Sequence, residues 1–193
     1  MKKSAKLIIA IVVVAIIAVL AVTIVLMNNS KAKTNLKSIN KAEDLSALIE
    51  KIYEGQDGTM IPSTVQTQVI DTTDEEAVKY TTGLDNVNDI EFVAVSEPMI
   101  TSQAYSLILV KVKDGVNANE VAKTMSENID TRKWICVSAE QLYATSSGNV
   151  VCVVMTNAET AKLVYERFKT LAGTVGEEYE KTEEAPELPP EMY

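Results

Sequence analysis

Histidine is absent from the 193 residues of this chain, and cysteine and tryptophan are scarce, with two and one copies. Without histidine there is no Ser-His-Asp or Cys-His nucleophilic site and no histidine metal ligand. The commonest general base near neutral pH is missing as well. The sequence also lacks a glycine-rich phosphate loop and a Cys-x-x-Cys pair. We therefore predict that the protein is not an enzyme and has no catalytic, cofactor-binding or metal-binding residues.

Positively charged residues are outnumbered by negatively charged ones. The chain has 18 Lys and Arg and 27 Asp and Glu, which gives a net charge of −9. A negative protein is repelled by the phosphates of nucleic acids. We therefore expect no nucleic-acid partner.

Residues 7–27 form an uninterrupted apolar run, LIIAIVVVAIIAVLAVTIVLM. A helix of this length would measure about 31 Å, close to the roughly 30 Å hydrocarbon core of a bilayer. The run therefore predicts a transmembrane helix that anchors the protein in the lipid bilayer. A cleaved signal peptide is the alternative, and Ser30-Lys31-Ala32 would suit its cleavage site, although signal peptides usually have a shorter apolar region.

Lys2, Lys3 and Lys6 place a dense positive charge on the tip, residues 1–6. Positive residues favour the cytoplasmic side of a membrane. The sequence thus predicts a single-pass signal-anchor protein of the cell membrane, with a cytoplasmic N-terminus and an extracytoplasmic C-terminal domain.

Composition divides the rest of the chain into a polar spacer (28–39), an α+β domain (40–173) and an acidic, proline-rich tail (174–193). The tail is expected to be disordered, with its glutamates forming a solvated charge run. Within the tail, Leu188-Pro189-Pro190 is an alternative candidate for a recognition segment, which prolines would hold extended.

Apolar periodicity and capping residues predict the elements of the domain. The two strands that are apolar on both faces, 106–112 and 150–155, are expected at the centre of the sheet. We predict a small α+β sandwich of about four antiparallel strands, with helices packed on one face. The predicted elements are helices opening at Asn40, Thr73, Asn117 and Thr156, and strands at 90–95, 105–112, 141–145 and 149–155.

Four acidic residues, Asp71, Asp74, Glu75 and Glu76, cluster at a predicted helix start. Carboxylates at this position favour the helix dipole, and we interpret them as capping residues in preference to a weak cation site.

Cys136 and Cys152 both lie in apolar, β-branched surroundings, and Trp134 precedes the first of them closely. We interpret the cysteines as buried structural thiols, with a disulfide as the alternative in an extracytoplasmic domain. Core packing is the expected role of Trp134, with contact to a partner or ligand as the alternative.

Three stretches, TGLDNVNDIEFVAVSEPM, SLILVKVKDG and SSGNVVCVVMTNAETAKLVYERF, together resemble the bacterial domain-of-unknown-function family 4358. The similarity covers roughly residues 42–171. Members of that family are exported to the cell envelope and are membrane- or lipid-anchored, without a known activity. The resemblance therefore implies a location and a fold and brings no catalytic residues. This chain differs from the lipid-anchored members in having an apolar run in place of a lipidated cysteine.

Together these features predict an envelope protein whose extracytoplasmic domain has a non-enzymatic interaction or accessory role toward an envelope protein partner. The alternative is a solute- or ion-binding module, which would need a cleft between the sheet and the loop 56–69.

Overall fold

The computed structural model describes residues 35–55, 61–99 and 102–183. The predicted membrane anchor at 7–27 lies outside these ranges. Within them, no helix has the length and apolar character needed to cross a membrane.

The described residues form four helices and one antiparallel sheet of six strands, in the order β1-β2-β3-β5-β4-β6. In chain order the elements are α1 (Ala42–Tyr53), β1 (Val65–Ile70), α2 (Glu75–Thr82), β2 (Ile90–Pro98), β3 (Ser106–Val112), α3 (Ala118–Asn128), β4 (Gln141–Ser147), β5 (Val150–Thr156), α4 (Ala158–Ala172) and β6 (Tyr179–Thr182).

Side-chain caps open three of the helices, because each cap accepts a hydrogen bond from a backbone N–H that has no partner within the helix. Asn117 caps α3, as predicted. The caps of α2 and α4 are Asp74 and Asn157, each one residue after the predicted opening. Asp44 fixes the start of α1, since its carboxylate accepts from the backbone N–H groups of two preceding residues.

Both faces of the sheet are covered, which corrects the predicted fold class. Leu107 and Leu109 of β3 pack with α1 and α4 on one face. Ile108 and Val110 of the same strand pack with α2 and α3 on the other face. All residues of β3 and β5 are buried, so each central strand needs a helical cover on both sides. The prediction of about four strands with helices on one face is therefore wrong.

The domain extends beyond the predicted limits of 40–173. Leu36 and Ile39 of the predicted spacer pack against the α1–α4 side of the core. Residues 174–183, predicted to be disordered, are ordered, and β6 pairs with β4. Residues 184–193 lie outside the described part of the chain.

Candidate functional site

An ion pair connects the loop between α3 and β4 to the end of β2. Lys133 Nζ donates to Glu97 Oε1, and Ser106 Oγ donates to the same oxygen at 2.7 Å. The lysine side chain is only 7% exposed, whereas that of Glu97 is 26% exposed. A largely buried ammonium is stable only when it is paired, so this contact fixes the position of the loop.

Two aromatic rings also lie against the ammonium group of Lys133. Its Nζ is 5.8 Å from the ring centroid of Tyr80 on α2 and 5.3 Å from that of Trp134. These are cation–π distances, and the negative faces of the rings stabilise the charge further. The indole of Trp134 is half-buried and packs against the α2–α3 side of the core, which confirms part of its predicted packing role.

Large apolar side chains are exposed around this ion pair. Tyr80 and Ile135 are each 68% exposed, and Met99 is 74% exposed. Met99 lies two residues after Glu97, and Ile135 lies two residues after Lys133. The ion pair therefore joins the two chain segments that carry these exposed apolar side chains. We call the group formed by Tyr80, Met99, Trp134 and Ile135 the Trp134 surface. Clustered exposed apolar residues of this kind mark interaction sites.

The polar groups under the Trp134 surface have structural roles, and none of them is an accessible nucleophile. Ser106 is fully buried, and its hydroxyl donates to a carboxylate. Lys133 is already engaged by Glu97 and two rings. A substrate would have no access to the hydroxyl, so the arrangement can orient a loop but cannot start acyl transfer.

The two cysteines have different environments, and both are free. Cys152 is buried in β5, opposite Thr145 of β4 and Leu109 of β3, and burial raises the pKa of its thiol well above the usual range. Cys136 is exposed in the α3–β4 loop, with a positive φ of 63°. The prediction of a buried thiol is confirmed for Cys152 and wrong for Cys136, and the disulfide alternative is wrong.

The acidic cluster before α2 has the predicted capping role. Asp74 Oδ1 accepts from the backbone N–H of the third residue after it at 3.0 Å. Asp71 accepts from the backbone N–H and the hydroxyl of Thr73, and these hydrogen bonds lower the pKa of its carboxyl. In the described ranges, no group of three or more His, Cys, Asp or Glu side chains is placed to hold a metal ion.

One cavity lies near the predicted ligand cleft, and the lining of a second includes no residue of the loop 56–69. One of about 380 Å³ lies beside Pro62, Gln103 and Glu140, at the described end of the loop 56–69. Another, of about 590 Å³, lies between the α2–β2 loop and the start of α3. The larger one combines carboxylates with apolar walls, and its lining includes Leu84, Asp85, Asp89, Val116, Glu120 and Val121.

The fold and the site define a class: a three-layer domain with a six-stranded antiparallel sheet between helices and an apolar surface over a paired lysine. Comparison with protein-family models, curated proteins and solved structures found no match to this chain. The resemblance to family 4358 stays a prediction.

Sequence reasoning singled out Trp134 but missed the residues that surround it. Glu97 and Ser106 are 36 and 27 residues before Lys133 in the chain, so no local pattern connects them. The one available signal was the short apolar segment 134–137, which belongs to neither a helix nor a strand.

Proposed function

We propose that this protein has a non-enzymatic interaction role and that its three-layer domain binds a partner protein through the Trp134 surface. The apolar run 7–27 supports attachment to a lipid bilayer, and the lysines before it support a domain on the extracytoplasmic side of the cell membrane. The partner is then another protein of the envelope.

The observation that carries the proposal is the exposure of Tyr80, Met99 and Ile135 around a buried ion pair. Tyrosine, tryptophan and methionine are enriched in protein interfaces, where a few such anchors supply most of the binding energy. The contact between Lys133 and Glu97 holds the segments that carry them in place before binding. A surface ordered in advance loses less conformational entropy on association, which favours affinity.

Crosslinking and co-purification of the full-length protein from its native membrane test this proposal. Ile135→Glu and Tyr80→Glu each place a charge in the Trp134 surface, and we expect them to reduce the captured partner at least tenfold. Val69→Glu is a matched control, because Val69 is 41% exposed but lies on the α1–α4 face of the sheet, opposite Ala94. A partner captured equally by all three variants would contradict a role for this surface.

A second candidate function, binding of a cationic organic solute, is favoured by the cavity of about 590 Å³. This volume lies within the range of small-molecule sites, and Asp85, Asp89 and Glu120 supply negative charge at its wall. Spermidine is a suitable probe in a thermal-shift measurement. Stabilisation that Glu120→Gln removes would support this candidate, whereas stabilisation that persists in the variant would place the ligand elsewhere.

A further inference from the structure

The first strand of the sheet is an edge strand with backbone groups that face away from its neighbour. Strand β1 pairs with β2 on one side and is a terminal strand in the sheet order of the described residues. The backbone N–H of Met99 donates to the carbonyl of Thr64 at 3.0 Å, which makes these two residues a hydrogen-bonded pair. Because such pairs alternate along an antiparallel ladder, the N–H and C=O groups of Thr67 and Val69 point away from β2.

The two edge strands of the sheet differ in the features that prevent pairing with another chain. Strand β6, YEKT, has only four residues and carries Glu180 and Lys181, and short, charged edges resist such pairing. Strand β1, VQTQVI, has six residues and contains no charged residue, proline or glycine. Its Gln66, Gln68 and Val69 are exposed. Strand β1 therefore has the properties of an edge that pairs with a further strand.

The sequence of β1 is complementary to a second copy of itself. A two-fold axis at Gln68 places Thr67 of each copy opposite Val69 of the other, where hydrogen bonds between them use all their outward N–H and C=O groups. An axis at Thr67 would instead need the N–H of Val65, which already donates to the carbonyl of Pro62 at 3.1 Å. With the axis at Gln68, the two glutamine side chains meet, and stacked side-chain amides of this kind stabilise paired strands. The threonine of one copy also covers the exposed valine of the other.

The charge distribution around β1 is compatible with this pairing, although the chain has a net charge of −9. The nearest acidic residue in the sequence is Asp71, which directly follows β1 and begins the cluster before α2. In the antiparallel pair the two copies of Asp71 lie about 20 Å apart, since each is three residues from the axis at about 3.3 Å per residue. This separation exceeds twice the screening length of about 8 Å at physiological ionic strength. Repulsion between the two clusters is therefore largely screened.

We propose that two copies of this chain pair through β1, antiparallel about a two-fold axis at Gln68, so that their sheets become continuous. The proposal is independent of partner binding, because no residue of the Trp134 surface belongs to β1. Val69→Glu places a charge at the pairing edge of each copy, so it should weaken the dimer and leave partner capture unchanged. Failure of one proposal is thus distinguished from failure of the other.

Disulfide crosslinking of the full-length protein in its native membrane tests both the dimer and its register. All variants carry Cys136→Ser, which removes the exposed thiol, and the buried Cys152 is retained. Gln68→Cys then places two thiols opposite each other, with Cα atoms about 4.5 Å apart, a distance that suits a disulfide. Gln66→Cys is the matched control, because residue 66 is exposed in the same strand but its two copies lie about 13 Å apart along the strands.

We expect oxidation with copper phenanthroline to convert Gln68→Cys into a disulfide-linked dimer at least tenfold faster than Gln66→Cys. Adding Thr67→Pro should lower this rate at least tenfold. The N–H that the proline removes faces the second copy, so the ladder between β1 and β2 stays intact. Continued protection of Cys152 from Ellman's reagent verifies that the proline variant is folded.

Four results would overturn the proposal. They are the absence of a dimer in Gln68→Cys, equal rates at positions 66 and 68, an unchanged rate in the folded proline variant, and a disulfide from Gln68→Cys to a different protein. The last result would show that another protein supplies the pairing strand.

Discussion

The hydroxyl of Tyr105 donates a hydrogen bond to the hydroxyl of Tyr53 at 2.8 Å and joins the end of α1 to the residue before β3. Tyr105 is fully buried, and the two ring centroids are 6.5 Å apart. Burial raises the pKa of Tyr53 to about 12 and holds that of Tyr105 well above 10. Both phenols therefore stay neutral in the folded protein when the pH rises past the value at which an unfolded tyrosine ionises.

This pair makes stability depend on alkaline pH. Above pH of about 10 the unfolded chain loses the tyrosine protons that the folded chain retains, so the free energy of unfolding falls by about 1.4 kcal/mol per pH unit for each such tyrosine. Tyr53→Phe removes one of these protons. We expect the slope between about pH 10 and 12 to become shallower by that amount in urea titrations, and equal slopes would contradict the prediction.

The ion pair of Lys133 and Glu97 is expected to show energetic coupling. Lys133→Met leaves a partly buried carboxylate with Ser106 as its remaining partner and should cost about 2 kcal/mol. Glu97→Gln removes the negative charge paired with this buried lysine at a similar cost, and the double variant should lose about 1–2 kcal/mol less than the sum.

Urea denaturation measures this cycle, and Arg132→Met is its control. Arg132 is exposed and its ion pair is long, so its loss should change stability by less than about 0.5 kcal/mol. Strictly additive effects of the two changes at Lys133 and Glu97 would show that the pair is not coupled.

Gly83 should be more sensitive to alanine than Gly115, although both have a positive φ, of 69° and 88°. A Cβ at Gly83 would lie 2.9 Å from the backbone nitrogen of Ile129, whereas one at Gly115 meets nothing within 4 Å. Gly115→Ala therefore isolates the conformational cost of about 1–2 kcal/mol. We expect Gly83→Ala to cost at least about 1 kcal/mol more in thermal or chemical unfolding, and equal losses would refute the steric contribution.

Thiol labelling with Ellman's reagent should distinguish the two cysteines. Cys136 is exposed, whereas Cys152 is buried and burial disfavours its thiolate. We predict one fast-reacting thiol in the native chain and a second only after unfolding. Cys136→Ser should abolish the fast reaction and Cys152→Ser should retain it. Two fast thiols, or none, would be inconsistent with the structure.

The sequence by itself determined the central elements of the fold. The hydrophobic runs of β3 and β5 and the periodic apolar residues of α1, α3 and α4 identify these elements, because burial repeats with the period of the local backbone. Asn117 could be recognised as a cap for the same reason, since a cap bonds only to backbone close by in the chain.

Tertiary structure decided the edges of the sheet, its second helical layer and the site. The edge strands β1 and β6, VQTQVI and YEKT, are half-exposed and polar, so only pairing with β2 and β4 makes them strands. Lys133 acquires its role from Glu97 and Ser106, which come close only when β2 and β3 pair beneath the loop. The physical reason is the distance along the chain over which each interaction acts. The local sequence pattern specifies which residues must be buried, whereas pairing between strands far apart in the chain specifies which residues they are buried against.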